Sequence, residues 1–195
     1  GYVDVVVSEP RLSLTPNRKN LVVSYHIDEG QQYHAGTIDV VGDLIDGKEN
    51  LLALVKLKEG DVFSRKELRE SVLAINDYYA DRGYAYVNVV PRTPADKQER
   101  RIDLQLLIEK GELVNFDRIL IRGNTKTRDK VIRREMKVVE KELYSTTGLK
   151  ESQRRIKNLG FFEEVTVATS KSDVPTRMNV DVDVKERPSG TLSAG

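Results

Sequence analysis

The chain of 195 residues contains no cysteine and only two histidines, His26 and His34. The missing thiols exclude disulfide frameworks, thiolate zinc sites and cysteine nucleophiles. His26 falls on the polar alternate face of a predicted strand, and no motif places an acid or a nucleophile beside it, so we expect a solvated side chain rather than a general base. No cluster has metal-ligand spacing. The sequence therefore predicts no catalytic residue, no metal and no cofactor.

Long apolar runs and an excess of one charge are also missing. No stretch reaches about 18 apolar residues, so no membrane-spanning helix is expected. The chain has 32 Lys+Arg against 31 Asp+Glu, which indicates no overall bias toward nucleic acid or anionic lipid. It begins with GYVDVVVSEP, a strand-like text without the basic start or apolar core of a signal peptide, and we expect it to be cut from a longer precursor.

An internal repeat is the main positive signal. Gly1, Gly83 and Gly160 each precede aromatic and valine-rich text: GYVDVVV, GYAYVNVV and GFFEEVTV. The third copy has one extra residue before its Val-x-Val, which predicts a β-bulge or a shifted strand start. A period-2 apolar pattern follows each copy and predicts a strand with one buried face. Its members are Leu21, Val23, Tyr25 and Ile27; Ile102, Leu104, Leu106 and Ile108; and Met178, Val180, Val182 and Val184.

Helical patterns fill the intervals before Gly83 and Gly160. Ser64 and Glu67 have the spacing of a capping box, and they open a helix that stops at Gly83. The apolar positions of that helix are Leu68, Val72, Ile75 and Tyr79. A shorter helix, ended near Gly60, is predicted before it from Leu51, Leu52 and Val55. The last copy predicts one helix with Val131, Ile132, Met136 and Val139, and a second with Leu149, Ile156 and Leu159 that stops at Gly160.

The order of these elements predicts an α+β fold built from tandem repeats. Each repeat reads β-α-α-β-β, with a three-stranded mixed sheet and two helices on one face. We predict the tail of a truncated unit at residues 1–34, and complete units at residues 35–112 and 113–187. Each unit buries a modest core, so we expect it to be only marginally stable alone.

Three segments resemble the POTRA (polypeptide-transport-associated) domains of the BamA family of outer-membrane assembly factors. They are RGNTKTRDKVIRREM at 122–136, NLGFFEEVTV at 158–167 and VDVKERPSGTLSAG at 182–195. The resemblance covers essentially the whole chain. It implies a partial third, a fourth and a fifth POTRA domain of a five-domain periplasmic arm, with residues 188–195 starting a transmembrane β-barrel.

The resemblance also implies a function without catalysis, in the periplasmic portion of an outer-membrane protein of a Gram-negative-type bacterium. The implied partners are unfolded outer-membrane β-barrel proteins, accessory lipoproteins of the assembly complex, the protein's own C-terminal β-barrel and the membrane surface, with no nucleic acid. The docking of accessory proteins is implied at Arg133, Arg134 and Glu135.

Clients are implied to bind by strand addition, because the second strand of each unit would be a sheet edge and the third strand central. The predicted client edge consists of Tyr84, Ala85, Tyr86, Val87, Asn88 and Val89. Pro91 would end the available ladder, since proline has no N–H donor. The alternative is an edge protected by Asn88, by a neighbouring unit or by self-contact.

Charge is distributed unevenly between the two complete units. Residues 113–187 hold 17 Lys+Arg and 12 Asp+Glu, a net of +5, whereas residues 35–112 hold 12 and 15, a net of −3. The basic excess gathers at Arg122, Lys126, Arg128, Lys130, Arg133, Arg134 and Lys137. This face is either a solvated helix surface or a contact surface for anionic head groups, an acidic protein or RNA.

Two other functions stay open at this point. A dedicated secretion channel also carries a POTRA arm, but such arms generally have two units, and remnants of three are visible here. An RNA-binding α/β module ranks last, because the strand-borne aromatics interleaved with basic residues that such sheets use are not evident.

Overall fold

The computed structural model describes residues 1–188, and its contacts group the chain into two compact units. The first contains Gly1–Gly42, Asp46–Leu73 and Val90–Leu107, and the second contains Asp43–Ile45, Ala74–Val89 and the chain from Ile108 onward. The boundaries inferred from the repeat stay a prediction, and almost all of the segment 188–195, predicted to start a barrel, lies outside the described residues.

Eleven strands and four helices are present in residues 1–188, which confirms the predicted α+β class. The strands are β1 (Val6–Val7), β2 (Arg11–Leu14), β3 (Leu21–Ser24), β4 (Ile27–Asp28), β5 (His34–Gly42), β6 (Asn88–Arg92), β7 (Ala95–Asp96), β8 (Arg101–Glu109), β9 (Asn115–Arg122), β10 (Phe162–Lys171) and β11 (Arg177–Glu186). The helices are α1 (Lys48–Leu52), α2 (Arg65–Ala80), α3 (Asp129–Arg133) and α4 (Thr146–Asn158). None of these helices is both long and apolar enough to cross a lipid bilayer.

The N-terminal strands form two small antiparallel pairs, β1 with β4 and β2 with β3. The prediction of one strand with a buried face over residues 21–28 is wrong, because the strand breaks at Tyr25 and His26 and its apolar side chains are exposed. No helix occurs in residues 1–34. The alternating apolar pattern is therefore present, but within residues 1–34 no helix packs on these strand pairs to bury their apolar side chains.

The next elements, β5 to β8, form a sheet in the order β5-β8-β6, and β7 also pairs with β8. Helix α2 begins where predicted, since the Ser64 hydroxyl accepts a hydrogen bond of 3.2 Å from the Glu67 N–H. The alternating residues of β8 are all at most 4% exposed. The strand after Gly83 begins only at Asn88, four residues later than the predicted edge, which starts at Tyr84.

The last five elements, β9 to β11 with α3 and α4, form a mixed sheet in the order β10-β11-β9. Strand β11 is antiparallel to β10 and parallel to β9. The pairing register shifts between Phe162 and Glu164, which confirms the irregularity predicted for the extra residue. Both helices contribute to the core: Ile132 of α3 and Ile156 of α4 are fully buried against the sheet residues.

Helix α3 is shorter than the pattern predicted, because it ends at Arg133 and leaves Met136 and Val139 outside it. Beyond this point the chain turns so that Val138, not Val139, enters the core at 4% exposure. The Lys137 N–H meanwhile donates a hydrogen bond of 2.8 Å to the Ser152 hydroxyl of α4. Packing of Val138 and this hydrogen bond replace the helical continuation.

A buried serine occurs on the longer helix of each of the two repeats that contain helices. These are the repeat with α1 and α2 and the repeat with α3 and α4. Ser71 of α2 and Ser152 of α4 are both 0% exposed. Each donates to the carbonyl four residues earlier, Glu67 or Gly148, at 2.7 Å. Each also accepts from the N–H of a lysine that follows the shorter helix, Lys56 at 2.9 Å and Lys137 at 2.8 Å. One hydroxyl thus fixes the chain that connects the two helices in each repeat.

We expect Ser152→Ala to lower the free energy of unfolding by about 1 to 3 kcal/mol, because the Lys137 N–H then loses its acceptor. Urea unfolding followed by circular dichroism measures the change. Ser71→Ala should have an effect of the same size, whereas Ser13→Ala on exposed strand β2 is the control and should stay within about 0.5 kcal/mol of the parent. Equal stability of the Ser152 and Ser13 variants would contradict the role of the buried hydroxyl.

Candidate strand edges and docking surface

The predicted client edge is only partly a strand. Tyr84 to Val87 form a turn, in which the Ala85 N–H donates to the Gly83 carbonyl and the Val87 N–H to the Tyr84 carbonyl. Asn88 and Val89 alone belong to β6, which continues through Pro91 to Arg92. The alternating aromatic and valine residues of this segment are typical of a strand. The chain reverses directly before the segment, at Gly83, which has a φ of 95°.

Strands β6 and β10 lie at the edges of their sheets, with β8 and β11 central. The two edges differ in length, because β6 has five residues including Pro91 and β10 has ten residues without proline. An edge strand presents unpaired main-chain N–H and C=O groups that a further strand can bind. Strand β10 therefore offers the longer ladder. The resemblance implied an edge at the second strand of each unit, but client-binding residues were predicted only after Gly83.

The three residues predicted to dock accessory proteins lie together at the end of α3. Arg133 donates from Nε to Asp129 at 2.6 Å and from Nη2 to the Ile119 carbonyl at 2.8 Å. Its guanidinium also lies 3.6 Å from Glu140. Arg133 is thus occupied in holding α3 against β9.

The other two predicted docking residues differ strongly in exposure. The Glu135 side chain is only 18% exposed, and its carboxylate accepts hydrogen bonds of 3.1 and 3.0 Å from Nε and Nη2 of Arg155 on α4. The Arg134 side chain is 70% exposed and lies 3.6 Å from Glu135. Arg134 is therefore the most accessible of the three, while the inward direction of Glu135 could not be inferred from the sequence.

The wider basic face is partly neutralised within the unit. Arg122 lies 3.0 Å from Asp181, and Arg133 pairs as described above. Arg128, Lys130 and Lys137 are exposed, and none of them has an acidic side chain within 4 Å among residues 1–188. Together with the exposed Arg134, these three side chains offer positive charge to an external partner.

A single carboxylate joins two segments that carry the family resemblance. Glu186, in the segment that starts at residue 182, accepts hydrogen bonds from the Thr125 hydroxyl at 2.7 Å and the Thr127 N–H at 2.6 Å. It also accepts from the Lys126 N–H at 3.0 Å. These hydrogen bonds, led by the one from Thr125, lower the pKa of Glu186 from 4.5 to about 2. The loop between β9 and α3 is therefore held to the end of β11.

A second carboxylate, Asp81, lies within the same compact unit at the start of α4. It accepts hydrogen bonds from Ser145 at 3.0 Å, and from the N–H and hydroxyl of Thr147 at 2.8 and 2.6 Å. Burial raises the pKa of Asp81, but the hydrogen bonds from Thr147 and Ser145 outweigh it and the net pKa is lowered. An acidic side chain at a helix N-terminus also stabilises the first turn. The end of α2 is thus anchored to the start of α4.

The two histidines take no part in these arrangements. His26 lies between β3 and β4, His34 begins β5, and both are exposed. Within residues 1–188 no group of three or more histidine or carboxylate side chains is placed to hold a metal ion. What the arrangement offers chemically is main-chain hydrogen bonding at sheet edges and charge on one helix face.

Comparison with solved structures identifies the class of fold. The chain is similar to the crystal structure of POTRA domains 3–5 of BamA from Haemophilus influenzae, with a TM-score of 0.82 and 23% identity. The match covers 95% of this chain and 74% of that one. At this level of identity the likeness defines the fold, a tandem array of POTRA repeats.

Sequence comparison then identifies the family. The sequence model of POTRA, described as a surface antigen variable number repeat, matches residues 33–111 and 114–187. The chain belongs to the POTRA family. It is 33% identical, over 100% of its length, to the outer membrane protein assembly factor BamA of Nitratidesulfovibrio vulgaris, and 36% identical, over 99%, to that of Neorickettsia risticii. The chain spans 25% and 26% of these two relatives.

The lowered pKa of Glu186 gives a prediction for stability against pH. Its contribution is present above its ordinary pKa of 4.5 and is lost as the pH falls toward about 2. Glu186→Gln should therefore be less stable than the parent at neutral pH, and the difference should shrink across this range. Urea midpoints at several pH values measure it. Glu59→Gln is the control, because Glu59 is exposed and lies outside this hydrogen-bond network. If the stability difference from the parent shrank equally with falling pH in both variants, the assignment to Glu186 would be contradicted.

Proposed function

We propose that this chain is part of the periplasmic arm of an outer-membrane β-barrel assembly factor. There it binds unfolded outer-membrane proteins by strand addition and docks accessory lipoproteins, without catalysing a reaction. Similarity to BamA over the whole chain is the observation that supports this most directly. The proposed location is the periplasmic portion of an outer-membrane protein, next to the protein's own C-terminal β-barrel.

Strand addition suits the edges that the fold presents. An added strand is held by main-chain hydrogen bonds, which any client sequence can make, and alternate side chains then adjust the affinity. Of the edge predicted from the sequence, Asn88 and Val89 lie on β6, where Pro91 removes one donor. We extend the proposal to β10, whose ten residues allow a longer ladder.

The absence of cysteine allows this to be tested by trapping, since an introduced thiol is unique. Thr166→Cys on β10 and Asn88→Cys on β6 should form mixed disulfides with a urea-denatured outer-membrane β-barrel protein whose single cysteine is activated as a disulfide with thionitrobenzoate, which is the leaving group of the exchange. Asp183→Cys is the matched control, because Asp183 pairs with Thr166 in the same register but lies on central strand β11.

We expect several-fold more product at the two edge positions than at Asp183, measured by non-reducing gel electrophoresis. The product should disappear when the client is folded before mixing, because a closed barrel has no free strand to add. Equal trapping at Thr166 and Asp183 would contradict binding along the edge.

The docking proposal concerns the end of α3, where exposed Arg134 lies beside Glu135. Arg128, Lys130 and Lys137 extend the same basic face and fit an acidic protein surface or the anionic head groups of a membrane. The pairing of Glu135 with Arg155 has a consequence for mutagenesis. A charge reversal at Glu135 removes a mostly covered carboxylate and also breaks its ion pair with Arg155.

Glu135→Lys should reduce co-purification of an accessory lipoprotein with the full-length protein by about tenfold or more, as expected for a lost interfacial charge. Arg155→Ala is the control, because it breaks the same internal pair but keeps the carboxylate. We expect Arg155→Ala to retain the partner and Arg134→Glu to lose it. Unchanged co-purification with Glu135→Lys, or an equal loss with Arg155→Ala, would count against this docking site.

A further inference from the structure

An open groove of about 520 Å³ lies in the first compact unit between α2 and the ends of β6 and β7. Its floor is apolar and includes Leu68 and Val72 of α2, Pro91 of β6 and Ile102 of β8. Arg65 and Arg69 of α2 also line it. No cofactor, metal or catalytic role proposed above uses these residues.

The groove lies where side chains of α2 and β6 are less buried than their neighbours in the core. Val89 and Pro91 are two residues apart on β6 and so face the same side. Val89 is only 5% exposed, whereas Pro91 is exposed. Leu68 and Val72 belong to the apolar stripe predicted for the core, yet they are only partly buried, unlike Ile75. Apolar surface is therefore left open beside the β6 edge.

The charged side chains by which α2 lines the groove, Arg65 and Arg69, are both positive. Arg65 and Arg69 lie four residues apart, on the same face of α2. Among residues 1–188 neither guanidinium forms an ion pair within 4 Å, although Lys56 and Glu70 pair at 2.8 Å nearby. The one carboxylate in the lining, Asp4, accepts a hydrogen bond from the Tyr33 hydroxyl at 3.2 Å. Two arginines beside an apolar floor form a complementary site for an apolar group next to a carboxylate.

We propose that this groove binds an extended polypeptide segment in which an acidic side chain stands two residues after an apolar one, so that both face the groove. The apolar side chain lies on Leu68, Val72 and Pro91, and the carboxylate pairs with Arg65 and Arg69. This rests on the proposed function, because the adjacent β6 edge aligns the segment by main-chain hydrogen bonds. Main-chain hydrogen bonds along the β6 edge do not distinguish one client sequence from another, whereas the side chains of the groove do.

The test uses two fluorescein-labelled nine-residue peptides of alternating threonine and valine with a central Leu-Thr-Glu (the Leu-Glu peptide) or Leu-Thr-Gln (the Leu-Gln peptide), so that both varied side chains share one face. Fluorescence anisotropy should give about tenfold tighter binding of the Leu-Glu peptide, because a charge-assisted hydrogen bond to arginine is lost in the amide. The double variant Arg65→Gln/Arg69→Gln should bind both peptides equally weakly. Lys66→Gln, on the same turn of α2 but outside the groove lining, is the matched control and should keep the preference.

Equal binding of the two peptides to the parent protein would overturn the inference, as would an equal loss of preference in the Lys66 variant. Displacement of the Leu-Glu peptide by dodecanoate at equal concentration would instead assign the groove to a fatty acid and would overturn the peptide assignment. If neither peptide binds while Thr166→Cys still traps denatured clients, the groove proposal fails and strand addition stands. If trapping fails as well, both proposals fail.

Discussion

The burial of one face of the central strand constrains everything else in each sheet-containing repeat. Strands β8 and β11 have a neighbour on both sides, and their alternate side chains are almost wholly inaccessible: Leu106, Val180 and Val182 are 0% exposed. A slip of one residue would turn that whole apolar set toward solvent, so the register is strongly specified. The helices pack on the buried face of this strand, and the remaining two strands become edges by position. The edges used in the proposed function are a consequence of the core.

Features that depend on residues close in the chain were predictable. The period-2 pattern of Ile102 to Ile108 and of Val180 to Val184 predicted the two central strands, and the Ser64 cap predicted the start of α2. The same pattern failed at Leu21 to Ile27, where both strands are short and exposed. Alternation states which side chains can be buried together, but burial itself requires a second layer of structure. That layer is absent from residues 1–34, and no local pattern encodes it.

Features that join distant residues could not be predicted from spacing. Glu186 lies 61 residues from Thr125, and Glu135 lies 20 residues from Arg155. Nothing in either local sequence indicates which carboxylate turns inward. The accessibility of the predicted docking residues was consequently not predictable: Arg134 is exposed, whereas Glu135 is mostly covered. At the client edge, Tyr84 to Val87 form a turn closed by main-chain hydrogen bonds to Gly83 and Tyr84 instead of the strand that their pattern predicted.

The strength of binding at such an edge can be bounded from elementary terms. A main-chain hydrogen bond contributes about 0.5 to 1.5 kcal/mol net, while association costs about 4 to 15 kcal/mol in lost freedom. The five residues of β6, with one donor removed by Pro91, therefore bind a client only weakly. The ten residues of β10 come closer to offsetting that cost. In the proposed binding mode, the apolar groove beside β6 contributes additional free energy only to segments whose side chains fit it. A short edge with a flanking groove is thus expected to give weak, selective binding, and a long edge without one stronger and less selective binding. The proposed function, in which clients are accepted and then released, has use for both.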